Sequence, residues 1–298
     1  MLASSKTAIL QEVLRALGGC NLEFSLEAHL DALRSEADAL GCPTDLQKLA
    51  KTVGIDRINY ISMHCDGALV PRGEYGYEAY ISTAASPMRQ RFSLAHEIAH
   101  AIIHALVPAT RKFETRNVFF PPGHETEERL CDFIASRILM PTSAFWPHVV
   151  GRSLSYEMLA NISKEFYCSL TATALRCRDA LGVSVALIQC KAYSAAGIAV
   201  FERRLLGFKR SRFGFAVGTR FEGAEVIPIA AASGKIVYGP SRLRSEGTIY
   251  DLFIEAAPVG LKKNEFPLMC ILSPVSFRDI KFPRQPAFLA DTYTSALS

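Results

Sequence analysis

Two histidines four residues apart, His96 and His100, stand in the stretch RFSLAHEIAHAIIH (residues 91–104), with Glu97 beside the first. On a helix, residues at i and i+4 project from one face a turn apart. Two imidazoles so placed can reach a single ion at about 2.0–2.1 Å. Glu97 would sit beside the open coordination position, where it can take a proton from water. A catalytic zinc needs a third protein ligand as well as that open position, and two histidines with one glutamate form a standard set. The stretch EERLCDFIASRILM supplies Glu128 and, four residues on, Asp132 on the same helical face. Glu128 is the candidate third ligand. Asp132 is placed to accept the spare N–H of a ligating histidine and so fix its tautomer.

Glu128 also has a plainer reading. With Glu125 and Glu127 it would form an acidic helix start, favourable at the positive end of the helix dipole. Glu127 is the rival ligand, but it lies roughly 100° round the helix from Glu128. His104 extends the histidine ladder by a further turn and reads as a core residue or as a support for the site. His124, in the PPGHE loop, could donate to a developing oxyanion, and Tyr77 and Tyr80 have similar standing. Cys131 points off the Glu128–Asp132 face and reads as core.

The elements that position these groups follow from periodicity and punctuation. Residues 1–41 read as largely helical, with Leu10, Val13, Leu14 and Leu17 on one face. A short helix follows Pro43, with Thr44 as its cap, Gln47 completing a capping box and Gly54 at its end. Two strands are expected, INYISM and, after a turn at Asp66-Gly67, YEAYIST; the second is a candidate edge for an extended substrate. The histidine helix runs from about Arg91 to Leu106. A Pro/Gly-marked loop then leads to the acidic helix, which Pro141 closes. Residues 153–182 read as a helix-turn-helix-like pair. After Val183 short apolar runs alternate with glycines and prolines, the texture of a sheet-rich second domain. The expected class is α+β, with a mainly helical domain holding a small sheet at 1–152, a helical pair at 153–182 and a sheet-rich domain at 183–298.

Composition bounds the rest. The 298 residues are 49% hydrophobic and 21% charged with a net charge of +4, which suits a folded globular chain and does not announce a nucleic-acid partner. Between Phe201 and Tyr250 nine basic residues face four acidic ones, interleaved with phenylalanines. Solvated strand faces explain that pattern more simply than nucleic-acid binding. No run of eighteen apolar residues occurs, so no membrane span is expected. The start MLASSKTAILQEVLRALGG reads as an amphipathic helix rather than a secretory signal. The eight cysteines include no C-x-x-C pair, so reduced thiols in a cytoplasmic protein are expected.

RQRFSLAHEIAHAIIH followed by EERLCDFIASRILMP resembles the ImmA/IrrE-type family of metallopeptidases, and the likeness extends over roughly residues 40–182. The resemblance implies a zincin-like fold, a zinc ion on His96, His100 and Glu128, and Glu97 as catalytic base. It also implies a protein substrate, a helix-turn-helix repressor whose cleavage switches gene expression. Asp132 stands where the family often has Asn. Some members carry a GAF-like sensor domain after the peptidase, and the texture beyond Val183 leaves room for one, with a small-molecule or protein effector. The competing reading is a sensor or binding protein that keeps a zinc site without proteolysis. The intact set of His96, Glu97, His100 and Glu128 argues against it.

Overall fold

The structure, a computed structural model, describes residues 2–19, 21–73, 76–107, 124–150, 152, 154–181, 186–193, 198–206, 220–221, 226–245, 248–258 and 267–274. It is a mixed α+β chain that divides into two compact units, Met1–Pro147 with Ile162–Ser169, and His148–Asn161 with Leu170–Ser298.

The first unit opens with α1 (Leu2–Ala16), α2 (Leu22–Glu36) and α3 (Leu46–Thr52). Asn21 caps α2 by accepting the Phe24 N–H at 3.0 Å. Asp45, not Thr44, caps α3, accepting the N–H groups of Gln47 and Lys48 at 3.0 and 3.2 Å. Thr44 is buried, and its hydroxyl donates to the Ile138 carbonyl at 2.8 Å. The hydroxyl expected to cap α3 therefore ties that turn to a carbonyl 94 residues away. Gly54 ends α3 at φ 83°, a left-handed geometry that glycine adopts without a Cβ penalty.

Three strands follow: β1 (Ile55–Ile61), β2 (Gly67–Arg72) and β3 (Gly76–Ser82), in the order β1-β3-β2. The sequence reading contained β1 and β3 but missed β2, because Pro71 interrupts its short apolar run. Pro71 has no N–H to give a ladder, and β2 tolerates it as an edge strand. β3 is consequently the central strand, parallel to β1 and antiparallel to β2. It is not the free edge expected from the sequence.

The sheet packs against α4 (Pro87–Leu106), which in turn packs along α5 (His124–Leu139). Pro87 starts α4 at a position where its missing N–H costs nothing. Leu94, Ile98, Ile102 and Ile103 are 3% exposed or less, so α4 meets its core requirement without the histidines. α5 is anchored by Arg137, whose guanidinium lies 3.2 Å over the Phe133 ring and pairs with Glu23 and Glu27 on α2. Helix α6 (Thr142–Val149) and the end of α7 (Tyr156–Glu165) complete this unit. There the fully buried rings of Phe145 and Phe166 meet edge to face at 6.2 Å.

The second unit takes the start of α7, then α8 (Leu170–Leu181), β4 (Ala186–Tyr193), β5 (Ile198–Leu206), β6 (Arg220–Phe221), α9 (Val226–Ser233), β7 (Val237–Ser245), β8 (Thr248–Pro258) and β9 (Pro267–Pro274). Its six strands pair in the order β6-β5-β4-β9-β8-β7, each neighbouring pair antiparallel among the ladders described. Leu252, Ile254 and Ala256 are fully buried on one face of β8, as period-2 alternation requires. Glu255, on the opposite face, is 5% exposed. One of its oxygens accepts the Tyr156 N–H at the start of α7 at 3.0 Å; the other is buried with no hydrogen-bond partner among the described residues. Burial pushes its carboxyl up to about 7, against the pull of that hydrogen bond. Phe208, Phe213 and Phe215 of the basic stretch lie outside the described residues. No helix among the described residues is long and apolar enough to cross a membrane.

Candidate metal centre

α4 and α5 run side by side, and one turn of each faces the other where the chemistry-bearing residues lie. His96 Nε2 is 3.1 Å from Glu128 Oε2, and His100 Nε2 is 3.4 Å from Glu128 Oε1. The same carboxylate thus meets both imidazoles on their ε nitrogens. Ligand atoms sharing a tetrahedral ion at about 2.0–2.1 Å stand roughly 3.3–3.4 Å apart. Two imidazoles and a carboxylate are donors whose chemistry suits a zinc-sized ion, with Glu128 turning a different oxygen to each ring. Each imidazole turns its other nitrogen to a separate acid: His96 Nδ1 lies 3.0 Å from Asp132 Oδ1, and His100 Nδ1 lies 3.3 Å from Glu127 Oε1.

The charges are arranged to match. Burial opposes protonation of His96, but its contacts with Asp132 and Glu128 outweigh that and raise it to about 9. His100 is likewise raised despite its burial, through Cys131, Glu127 and Glu128. Hydrogen bonds from His100 and His96 hold Glu128 well below the usual carboxylate range. Glu127 is drawn down to about 2 by His100 and His104, against the effect of burial. The imidazoles and carboxylates of the two helices thus stabilise one another's charged forms.

Glu97 is 5% exposed and projects from α4 into a cleft of about 300 Å³. Asp66, Gly67, Arg89, Phe92, Ser93, His96, Glu128 and Asp132 also line it. β2 approaches so closely that a Cβ on Gly67 would come within 2.5 Å of Glu97 Oε1. Arg89 Nε is held 3.0 Å from Asp66 Oδ2 at the rim. The five residues read from the sequence as a constellation, His96, Glu97, His100, Glu128 and Asp132, are therefore brought to one place.

Other groups were read differently. Cys131 was assigned to the core alone; it is fully buried, yet its thiol hydrogen-bonds His100, and burial pushes it up to about 11. With His96 and His100 it forms one grouping of donor atoms that lie within 4.8 Å of one another. His100, His104 and Glu127 form another. Glu128 meets each ring with a different oxygen and stands outside both groupings. Glu127 and Cys131 flank Glu128 at −1 and +3. Helical geometry alone could have flagged the second, one turn on, but not the first. His104 is 2% exposed at its side chain, with Nε2 3.7 Å from Glu127 Oε1 and its ring 5.8 Å from that of Tyr77. Tyr80 donates to Glu78 at 2.8 Å, and neither tyrosine lines the cleft. The side chain of His124 lies outside the described residues.

A histidine pair with an intervening glutamate on one helix and carboxylates on the next is the arrangement of a metallopeptidase. Residues 66–178 match the family described as IrrE N-terminal-like domain, Peptidase_M78. That segment holds every residue of the constellation. Among solved structures, the chain is similar to one described as a Mycobacterium tuberculosis transcriptional regulator. Identity is 12% and the TM-score 0.46, over 99% of this chain and 85% of that one. No curated protein matches the chain.

Proposed function

We propose that this chain is a zinc-dependent endopeptidase, with His96, His100 and Glu128 as metal ligands, Glu97 as general base and Asp132 orienting His96. The observation that carries this is the convergence of the two ε nitrogens on one carboxylate, at 3.1 and 3.4 Å, on the wall of the cleft that also holds Glu97. Glu128 is preferred to Glu127 because it lines the cleft, whereas Glu127 faces the δ nitrogen of His100.

A bound zinc ion would polarise the scissile carbonyl and lower the pKa of water at its open position toward about 7. Glu97 accepts one proton as water oxygen bonds to the carbonyl carbon. It returns that proton to the amide nitrogen as the C–N bond breaks, so the carboxylate is regenerated. Asp132, accepting the Nδ1–H of His96, leaves Nε2 as the nitrogen that gives up its proton when a metal binds, and aims it inward. β2 supports an extended substrate, since it is an edge strand with Gly67 at the cleft and can accept an added strand.

The domain that acts is zincin-like and occupies residues 1–152; the pair at 153–182 follows it. The domain at 183–298 is a GAF-like sensor that takes a small-molecule or protein effector. The first and last of its described strands, β4 and β9, pair at the centre of the sheet, and α9 lies between the outer hairpins in sequence, which favours a ligand-sensing module. The substrate is a DNA-binding repressor in the cytoplasm, cleaved to switch gene expression. Metal analysis beside a Glu97→Gln comparison tests the core of this reading. The native chain should hold about one zinc, and Glu97→Gln should keep the metal while losing cleavage. Cleavage by Glu97→Gln at the native rate would refute it.

A further inference from the structure

We infer that Glu127 is a positioning residue for His100, the counterpart of Asp132 at His96, and contributes more to metal retention than Asp132 does. The inference rests on the metal reading above and goes beyond it, since that reading leaves His100 without a partner for its second nitrogen.

Each imidazole carries one ring proton when neutral, and only the bare nitrogen can act as a ligand. For His100, Nε2 faces Glu128 and Nδ1 lies 3.3 Å from Glu127 Oε1. A carboxylate at Nδ1 favours the tautomer with its proton there, which leaves Nε2 free and more basic. Glu127 would be badly placed to share an ion held at Nε2, because the imidazole ring stands between them. Its own orientation is fixed from behind: the same oxygen lies 3.7 Å from His104 Nε2, and His104 is buried beside Tyr77. A chain of three side chains, His104, Glu127 and His100, thus runs from the core to the metal centre.

Exposure sets the ranking of the two acids. The Glu127 side chain is 16% exposed and that of Asp132 61%. Water competes for Asp132 and screens its charge, while Glu127 acts through protein. Loss of an outer partner of a metal-ligating histidine typically costs 10–100-fold in affinity. Asp132 belongs near the lower end of that range and Glu127 near the upper.

The test is zinc affinity of the full-length chain by chelator competition, together with the visible spectrum of the cobalt(II)-substituted protein. Glu127→Ala should weaken zinc binding by roughly 100-fold and shift the cobalt bands while keeping one metal per chain at saturation. Glu127→Gln, whose amide oxygen can still accept the N–H and whose shape preserves packing, should return to within a few-fold of native. Glu128→Ala, measured alongside, should lose most of the metal. Native zinc affinity in Glu128→Ala would bring down the underlying metal reading. Loss in Glu128→Ala with native affinity and an unchanged cobalt spectrum in Glu127→Ala would overturn the role of Glu127 alone. So would failure of Glu127→Ala to reach one metal at any concentration, or a second metal per native chain that Glu127→Ala lacks, since either would make Glu127 a ligand.

Discussion

Gly67→Ala should disable the chain while leaving it folded and metal-loaded. The new Cβ would meet Glu97 Oε1 at 2.5 Å, with Cδ and Cγ of Glu97 at 3.3 and 3.4 Å. Ordinary contact begins near 3.4 Å, so the carboxylate oxygen has to retreat by about 0.9 Å. β2 cannot give way as easily, because all six of its residues are in register with β3. The strain therefore falls on the flexible end of the glutamate. A displacement on the order of 1 Å at a reacting group costs about 100-fold in rate, or about 2.7 kcal/mol of barrier. Stability should change little, as alanine suits a strand no worse than glycine does. The assay is kcat on any protein or peptide that the native chain cleaves, with zinc content and thermal midpoint measured on the same sample. Glu97→Gln sets the floor. A kcat within a few-fold of native, in a protein with full zinc and an unchanged midpoint, would show that the placement of Glu97 beneath β2 is not what the reaction depends on.

Asp132→Ala should weaken zinc binding about 10-fold, and Asp132→Asn should stay near native because its amide oxygen still accepts the His96 N–H; equal, severe losses in chelator titrations would make Asp132 a direct ligand. Glu255 carries a carboxyl raised to about 7, against 4.5 for an ordinary one. Its folded form holds a proton that the unfolded chain has already released. The stability this confers is full below about pH 4.5, drains away as pH rises to about 7, and then stays level. Glu255→Gln should remove that decline, gaining up to about 3 kcal/mol on the native chain between pH 4.5 and pH 8. Urea melts with parallel pH profiles for the two proteins would contradict this. Arg137→Ala should cost about 2–4 kcal/mol, since it strips two ion pairs and the Phe133 stack from a side chain 3% exposed; a midpoint shift under a degree would count against it.

The helix-borne part of the site was readable because its logic is local. A spacing of four residues puts His96 above His100, and Glu128 above Asp132, whatever surrounds them. The pairing between the helices was less accessible. The contact of Glu127 with His100 depends on the rotation of α5 against α4, which no single-helix argument contains; 100° round one helix can still face a neighbour. Cys131, one turn on from Glu128, was within reach of a single-helix argument. β2 was hidden by Pro71, whose disruption matters in a paired strand and not at an edge. Thr44 and Asp45 are both good caps, and the choice fell to the neighbour that needed a hydroxyl, the Ile138 carbonyl. The family resemblance, over roughly residues 40–182, takes in the first helices of the second unit and none of its strands, where no motif stands to carry it.

The chain leaves the first compact unit at Pro147, contributes residues 148–161 to the second, and returns through Ile162–Ser169 before departing again. Phe166, on that returning segment, completes the buried ring pair with Phe145. A gene crossover anywhere between the codons for residues 148 and 161 would strand one half of that pair from the other. Neither unit can be traded for a foreign module by one exchange of coding sequence. Exchanging the second unit whole would require three coordinated junctions, after residues 147, 161 and 169.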